Sequence, residues 1–183
     1  MPGGTFFFTL VTAGRAPILC NERARLILRN SILECQRSRP FVLDAMVLLP
    51  DHLHSMWTLP AGDTNFSIRW NAIKSAFTRN WLAAGGEERL VSTSRATRGG
   101  RGVWQPRFAE HLIRDDEDWT NHVNYFHYNP VKHGLVRCPH EWPHSTFHRW
   151  VRGGHYDPNW QCVCNGGENP PPSFDELDRR AIE

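Results

Sequence analysis

Residues 41–59 read FVLDAMVLLPDHLHSMWTL, two apolar runs divided by Pro50-Asp51. Each run is short, dense in Val, Leu, Met and Trp, and bounded by turn residues, which marks paired strands and not a helix. Phe41 to Leu49 and His52 to Leu59 are therefore predicted as the arms of a hairpin turning at Pro50-Asp51. Upstream, Gly3-Gly4 leads into TFFFTLVT, Thr5 to Thr12, whose aromatic and β-branched content predicts a buried strand. Between them Asn21 can cap a helix from Glu22 to about Arg37. Ala24, Ile27, Leu28, Ser31, Ile32 and Cys35 recur in it at helical spacing, and Pro40 stops it.

Downstream of the hairpin, Asp63 to Asn65 supply caps for a helix from Phe66 to about Ala83, with Trp70, Ile73, Phe77 and Trp81 on one face. The run GGEERLVSTSRATRGGRG (85–102) reads as a mobile loop. Val103 to Ile113 reads as a fourth strand, which Pro106 makes irregular or confines to an edge. A third long helix starts at Asp115-Asp116 and runs through Tyr128, closed by Pro130, and Trp142 to Val151 adds a short one. The order strand, helix, strand, strand, helix, strand, helix predicts an α+β, ferredoxin-like (split βαβ) antiparallel sheet with helices on one face, plus a C-terminal extension. The expected division is a catalytic domain over 3–152 and a Pro-rich acidic tail over 153–183, poorly ordered. No internal repeat is visible.

Ten phenylalanines and eight tryptophans in 183 residues are ample for a core and exclude a disordered chain. No apolar run approaches the roughly 20 residues of a membrane helix. Phe6 to Val11 has neither a basic region before it nor a small-residue cleavage site after it, so it reads as a strand and not as a signal peptide. The five cysteines, Cys20, Cys35, Cys138, Cys162 and Cys164, form no paired C-x-x-C units. That pattern fits neither a disulfide framework nor a zinc ribbon, and the lone C-x-C at 162–164 falls short of the four ligands of structural zinc. A reducing cytoplasm is the expected compartment.

The net charge of +2 is unevenly spread. Residues 155–183 hold six acids against two arginines, a net of −4, which leaves +6 for the preceding residues. From 65 to 108, Arg69, Lys74, Arg79, Arg89, Arg95, Arg98, Arg101 and Arg107 meet only Glu87 and Glu88. Such a stretch suits a phosphate backbone, although charge alone equally describes a solvated face. The acidic tail can in turn compete with DNA for that surface.

In His52-Leu53-His54 the two imidazoles lie two apart on a strand, so they leave the same face roughly 6.5 Å apart along the chain. Two neutral imidazoles so placed can share a divalent cation. In VNYFHYNP (123–130), Tyr125 and Asn129 are four apart and share a helical face. If that face meets the histidines, Asn129 can be a third ligand beside a nucleophilic Tyr125. Taken singly, two surface histidines, a core aromatic and a helix-capping asparagine account for the same residues. Tyrosine is a poor nucleophile unaided, and a metal-bound phosphate would remedy that, giving a phosphotyrosine whose bond energy is retained for rejoining.

The runs LLPDHLHSMWTLP (48–60), WQPRFAEHLIRD (104–115), VNYFHYNPVKHGLV (123–136) and WPHSTFHRWV (142–151) resemble the transposases associated with repetitive extragenic palindromes (REPs). These belong to the His-hydrophobic-His, single-tyrosine superfamily of insertion-sequence transposases. The resemblance spans about Gly3 to Trp160. It implies a ferredoxin-like fold and Mg²⁺- or Mn²⁺-dependent cleavage of single-stranded DNA near hairpins through a 5′-phosphotyrosine. His52 and His54 would be the metal pair, Asn129 the third ligand and Tyr125 the nucleophile. Tyr128, three residues on, is the competing hydroxyl. Expected partners are single-stranded or hairpin DNA, with the chain monomeric or homodimeric and associated with the bacterial nucleoid. Relatives usually carry a basic arm ahead of the GGT-F-F-T strand, and this sequence starts two residues before Gly3, which implies either a weaker grip on the hairpin or a misassigned start. Ala109 and Asn124 stand where relatives have an aromatic and an acid. A domesticated, non-catalytic palindrome-binding protein is the alternative, which retention of all four site residues disfavours.

For DNA, Arg69, Lys74 and Arg79 on the second helix, Arg95, Arg98 and Arg101 in the loop, Arg107 and Lys132 are the candidate phosphate contacts. Trp104, Phe108 and Trp150 are candidates for stacking on bases. Lys132 and His133 follow the tyrosine helix closely enough to meet the scissile phosphate, and Glu110-His111 are candidates for supporting the metal ligands.

Overall fold

In the computed structural model, which describes residues 3–164 together with Pro172, Phe174 and Leu177, four strands form one sheet. They are β1 (Thr5–Val11), β2 (Val42–Leu48), β3 (His52–Thr58) and β4 (Ala109–Leu112), in the order β2-β3-β1-β4 with every neighbour antiparallel. Helix α1 (Glu22–Ser38) connects β1 to β2, and α2 (Phe66–Ala83) leads from β3 toward β4. This is the ferredoxin-like split βαβ arrangement that the element order predicts. Asn21 caps α1 by accepting from the backbone N–H of Arg23 and Ala24, as its sequence position suggests.

Both faces of the sheet are covered, which corrects the expectation of helices on one face. Opposed residues in an antiparallel pair share a face. Phe6 with Trp57 and Leu10 with Leu53 therefore point one way, and Phe7 with Met56 and Thr9 with His54 point the other. The first face packs under α1 and α2, where Leu28, Ile32, Trp70, Ile73 and Phe77 are buried and the Trp57 and Trp70 rings stack at 4.0 Å. The second lies under α4 (Asp116–Lys132), whose Val123, Tyr125 and Phe126 meet Phe7, Val47 and Met56. The cause is in TFFFTLV: apolar at nearly every position, it requires cover on both sides.

Three boundaries differ from the sequence reading. β4 keeps only four of its eleven expected residues, because Pro106 has no N–H to give a ladder, and Trp104 is left with a single bridge to Thr12. The 85–102 segment is built, not loose. Ser92 caps the short helix α3 (Thr93–Thr97), Arg101 pairs with Glu88, and Trp81 donates to the Glu87 carbonyl. Helix α4 runs past Pro130 to Lys132, since a proline in the last turn forfeits only the bond to the Phe126 carbonyl. It ends where Gly134 adopts φ +66°, with Gly134 N–H donating to Val131 and Leu135 N–H to Pro130.

A last helix, α5 (Phe147–Arg152), follows. Residues 153–164, expected to open a loose tail, pack onto it and onto α4. The Tyr156 hydroxyl donates to Asn124, Trp160 abuts Phe147 and Tyr156, and Cys162 is joined to Cys138. Aromatic residues and not the acids decide this stretch. The acidic run beyond it, where poor order was expected, lies almost wholly outside the described residues.

Candidate active site

β3 carries His52 and His54 on the sheet face that α4 covers, both almost fully buried, with ring centroids 5.2 Å apart. Each ring is fixed from behind through Nδ1. His52 meets the Asp51 carboxylate at 2.7 Å and His54 meets Thr9 Oγ1 at 2.9 Å. The Asp51 carboxylate can only accept, so His52 carries Nδ1–H and keeps its lone pair on Nε2, the form in which histidine ligates metals, and the Thr9 hydroxyl can hold His54 in the same tautomer. Burial works against the Asp51 charge, but hydrogen bonds from His52 and Arg15 outweigh it and hold the carboxyl below its usual range. The donor set, two oriented imidazoles, thus fits a divalent cation.

Helix α4 presents its partners in matching order. The Tyr125 ring stands 5.2 Å from that of His54, and the His133 ring stands 5.1 Å from that of His52. Asn129, fully buried, follows one turn beyond Tyr125 on the same side of the helix. Lys132, two turns on from Tyr125, donates to its phenol oxygen at 3.4 Å and lies 5.0 Å from the ring centroid. His52, His54 and Tyr125 of the sequence argument, with Lys132 and His133, are therefore brought to one place. The phenol is also covered. Tyr125 has no exposed surface, and Phe174 stands edge-on to it at 5.4 Å. Tyr128 is half-buried, contacts the same Phe174, and has its hydroxyl pKa raised by burial.

Glu110 and His111 part company, as neighbours on a strand must. His111, opposite Phe7, shares the α4 face and donates through Nε2 to the Asp118 carboxylate at 2.8 Å, its ring stacked on His122 at 4.7 Å. Glu110, opposite Phe8, faces the other way and is exposed, so it is corrected from support of the site to a surface residue. Asp118 also takes the backbone N–H of Arg114. Burial opposes its charge, yet His111 and Arg114 bring its pKa down to about 2.

The expected DNA cations sort into three groups. Lys74, Arg79, Arg95 and Arg101 line a groove of about 450 Å³ between α2 and the 95–106 segment, and Arg98 and Arg107 are exposed beside it. Lys132 sits instead with Tyr125. Arg69 is corrected. It lies one turn before Ile73, shares the buried face of α2, and its guanidinium is consumed by the Arg39, Pro40 and Asn65 carbonyls and by Asp63. Trp104 is likewise corrected from a base-stacking surface to core, packed against Phe77 at 5.1 Å. Asp51, Thr9 and Asp118 were not among the expected site residues. An acid directly before His52 was a usable signal, whereas Thr9 opposite His54 follows only from strand register.

Sheet and site together define a class: ferredoxin-like proteins that lay a tyrosine-bearing helix across a histidine pair held on the middle of the sheet. No protein-family profile matches the chain. A REP-associated tyrosine transposase of Escherichia coli K12 is 42% identical over 158 residues, covering 86% of this chain and 85% of that protein. A Haemophilus influenzae protein, provisionally given the same name, is 39% identical over 158 residues, covering 86% and 88%. A solved structure of a REP-associated tyrosine transposase bound to a REP hairpin superposes with a TM-score of 0.71 at 39% identity, covering 94% of this chain and 95% of that one. The chain belongs to the REP-associated tyrosine transposase family. Among the described residues, no helix is long and apolar enough to cross a membrane.

Proposed function

We propose that the protein nicks and rejoins single-stranded DNA at palindromic hairpins, through a covalent bond to Tyr125. The observation that carries this reading is the approach of the Tyr125 ring to His54, with Lys132 Nζ at the phenol oxygen. The hairpin bound by the solved relative supports the choice of substrate.

His52, His54 and Asn129 would hold a divalent cation, Mg²⁺ or Mn²⁺, which when bound neutralises phosphate charge and polarises phosphorus. These ligands bring no negative charge to an anionic substrate. Tyr125 Oη forms the new bond to phosphorus as the bond to the 3′ oxygen breaks. The phenol proton is released, and the departing 3′ oxygen takes one up to become a hydroxyl. Lys132 keeps a positive charge beside the attacking oxygen. Because one phosphodiester replaces another, a 3′ hydroxyl can reverse the step, which is rejoining. Lys74, Arg79, Arg95 and Arg101 supply phosphate contacts from their groove, with Arg98 and Arg107 at its margin. The catalytic unit extends through Cys164, and the chain acts as a monomer or homodimer on DNA in the cell interior.

The test is a labelled hairpin oligonucleotide incubated with Mn²⁺ and resolved under denaturing conditions. A protein–DNA adduct is expected, lost in Tyr125→Phe and in His52→Ala but kept in Tyr128→Phe. A second reading, palindrome binding without cleavage, is favoured by the full burial of Tyr125. Tight hairpin binding with no adduct under any metal would establish it.

A further inference from the structure

Cys138, Cys162 and Cys164 bring three sulfurs together beside His140, in a turn that belongs to none of the machinery described above. Cys138 Sγ is joined to Cys162 and lies 2.7 Å from Cys164 Sγ, inside the contact distance of two thiols. A disulfide accounts for one of those approaches and leaves the other unexplained. The backbone N–H of Cys164 points at Cys162 Sγ at 3.4 Å, an arrangement that favours a thiolate. His140 adjoins two of the three sulfurs. One of its ring nitrogens lies within 4.8 Å of both the Cys138 and Cys162 sulfurs, and its Nδ1 is buried with no hydrogen-bond partner among the described residues.

We infer that Cys138, His140, Cys162 and Cys164 form a structural zinc site. The sequence supplies the ligands as two short pairs, Cys138-Pro139-His140 and Cys162-Val163-Cys164. Three thiolates and an imidazole are a recognised tetrahedral set for Zn²⁺, and soft sulfur donors select zinc over the hard cations that suit phosphate chemistry. Four protein ligands leave no open position, so the ion would be structural and not catalytic. To sit at about 2.3 Å from each sulfur it requires them to spread, which the turns on either side permit because Cys164 is exposed. Glu141 also stands within reach, accepting from the Cys164 thiol at 3.5 Å, but the preference of structural zinc for sulfur and imidazole leaves it outside the set. Its carboxylate accepts from the backbone N–H of Arg137 and Cys138 and so braces the turn that presents the first pair.

The location gives the site a purpose. The Cys138-x-His140 pair lies in the turn that follows α4, six residues after Lys132, and the second pair ends the 153–164 segment. A shared ion would pin that segment against the exit of the Tyr125 helix, where Tyr156 already bonds Asn124.

The experiment is metal analysis of the full chain, purified with reductant and without added metal, then dialysed against a mild chelator. About one zinc per chain is expected in the wild type and in His52→Ala, which separates this site from the histidine pair. Cys164→Ser, at an exposed position, should lose the zinc and keep its near-ultraviolet circular dichroism. Co²⁺ exchanged into the wild type should show thiolate charge-transfer and tetrahedral absorption bands. A wild-type chain with no zinc, or one whose mass under reducing purification reveals an intact Cys138–Cys162 disulfide, overturns the assignment. Zinc retained unchanged in Cys164→Ser and Cys162→Ser overturns it as well.

Discussion

The Asp51 carboxylate stands 2.7 Å from Nδ1 of His52, at the turn that begins β3. Arg15 grips the same carboxylate at 3.0 Å, and the Asp51 carbonyl accepts both the backbone N–H and the hydroxyl of Thr12. The hairpin turn is thereby tied to the end of β1, and the His52 ring cannot rotate without breaking the tie. Carboxylate partners of metal-binding histidines commonly change affinity ten- to a hundredfold when lost. Asp51→Asn is therefore expected to raise the Mn²⁺ concentration at half-maximal adduct formation by that factor, with hairpin affinity measured without metal unchanged. An unaltered metal requirement would show that Asp51 serves only the turn.

Lys132 gives a second expectation. Its ammonium is 3.4 Å from the phenol oxygen and is the one cation of the basic set found at Tyr125 and not at the α2 groove. Lys132→Met should slow single-turnover adduct formation roughly a hundredfold, as loss of a charge-stabilising donor does. The adduct should still map to Tyr125. A rate within a factor of two of wild type would leave Lys132 as a mere neighbour.

Lys74 makes DNA binding sensitive to pH. Its burial, with Arg95 adding repulsion, lowers its pKa to about 8. Below that value the ammonium is charged and can face a phosphate, and above it the charge is lost. Hairpin affinity should thus weaken between pH 7 and 9, beyond any change in metal binding if measured without metal. Lys74→Arg should flatten that profile, because a guanidinium stays charged throughout. Lys74→Ala should lower the slope of log affinity against log salt by about one.

The sheet was legible because its strands announce themselves. TFFFTLVT and the 41–59 hairpin carry aromatic and branched residues between turn signals, and Asn21 caps α1 as it should. His52 and His54 could be paired from period two alone, and Tyr125 with Asn129 from period four. What stayed hidden depends on tertiary neighbours. Only strand register sets Thr9 behind His54 and sends Glu110 away from the site while keeping His111 in it. Arg69 looks like a surface cation until the carbonyls of Arg39 and Pro40 are seen to surround it. The cysteines were dismissed on spacing, yet the chain reversal after Gly134 brings 138 and 162 together.

Asp118 links stability to acidity. Its carboxyl, almost fully buried, is held at about pH 2 by His111 and Arg114 against the cost of burial. A carboxyl whose folded pKa is depressed contributes stability above its unfolded value near 3.8, and that contribution fades as pH falls through 2. Asp118→Asn should therefore cost about 2 kcal/mol at neutral pH and only a small part of that near pH 2. Urea unfolding at both pH values checks this. An equal loss at both would mean that packing and not charge is responsible.

Phe174 stands edge-on over the Tyr125 ring, 5.4 Å away. Tyr125 is enclosed by His54 and Phe7 on the sheet side, by Lys132 along its helix and by Phe174 from the C-terminal extension. The sheet and helix residues are fixed by the core, so they cannot withdraw without unfolding the site. Phe174 is only partly buried, makes ring contacts with Tyr125 and Tyr128, and comes from outside the sheet and its helices. Among the described residues of the enclosure it is the one that can leave at lowest cost. A hairpin strand reaching Tyr125 must displace it, so Phe174→Ala should raise the adduct rate at saturating hairpin severalfold. Hairpin affinity should stay as it was, since the basic groove is untouched. If instead the rate is unchanged while Tyr125 becomes more accessible to nitration, the cover is incidental and the slow step lies elsewhere. A fall in rate together with a lower melting temperature would mean that Phe174 belongs to the core of the site.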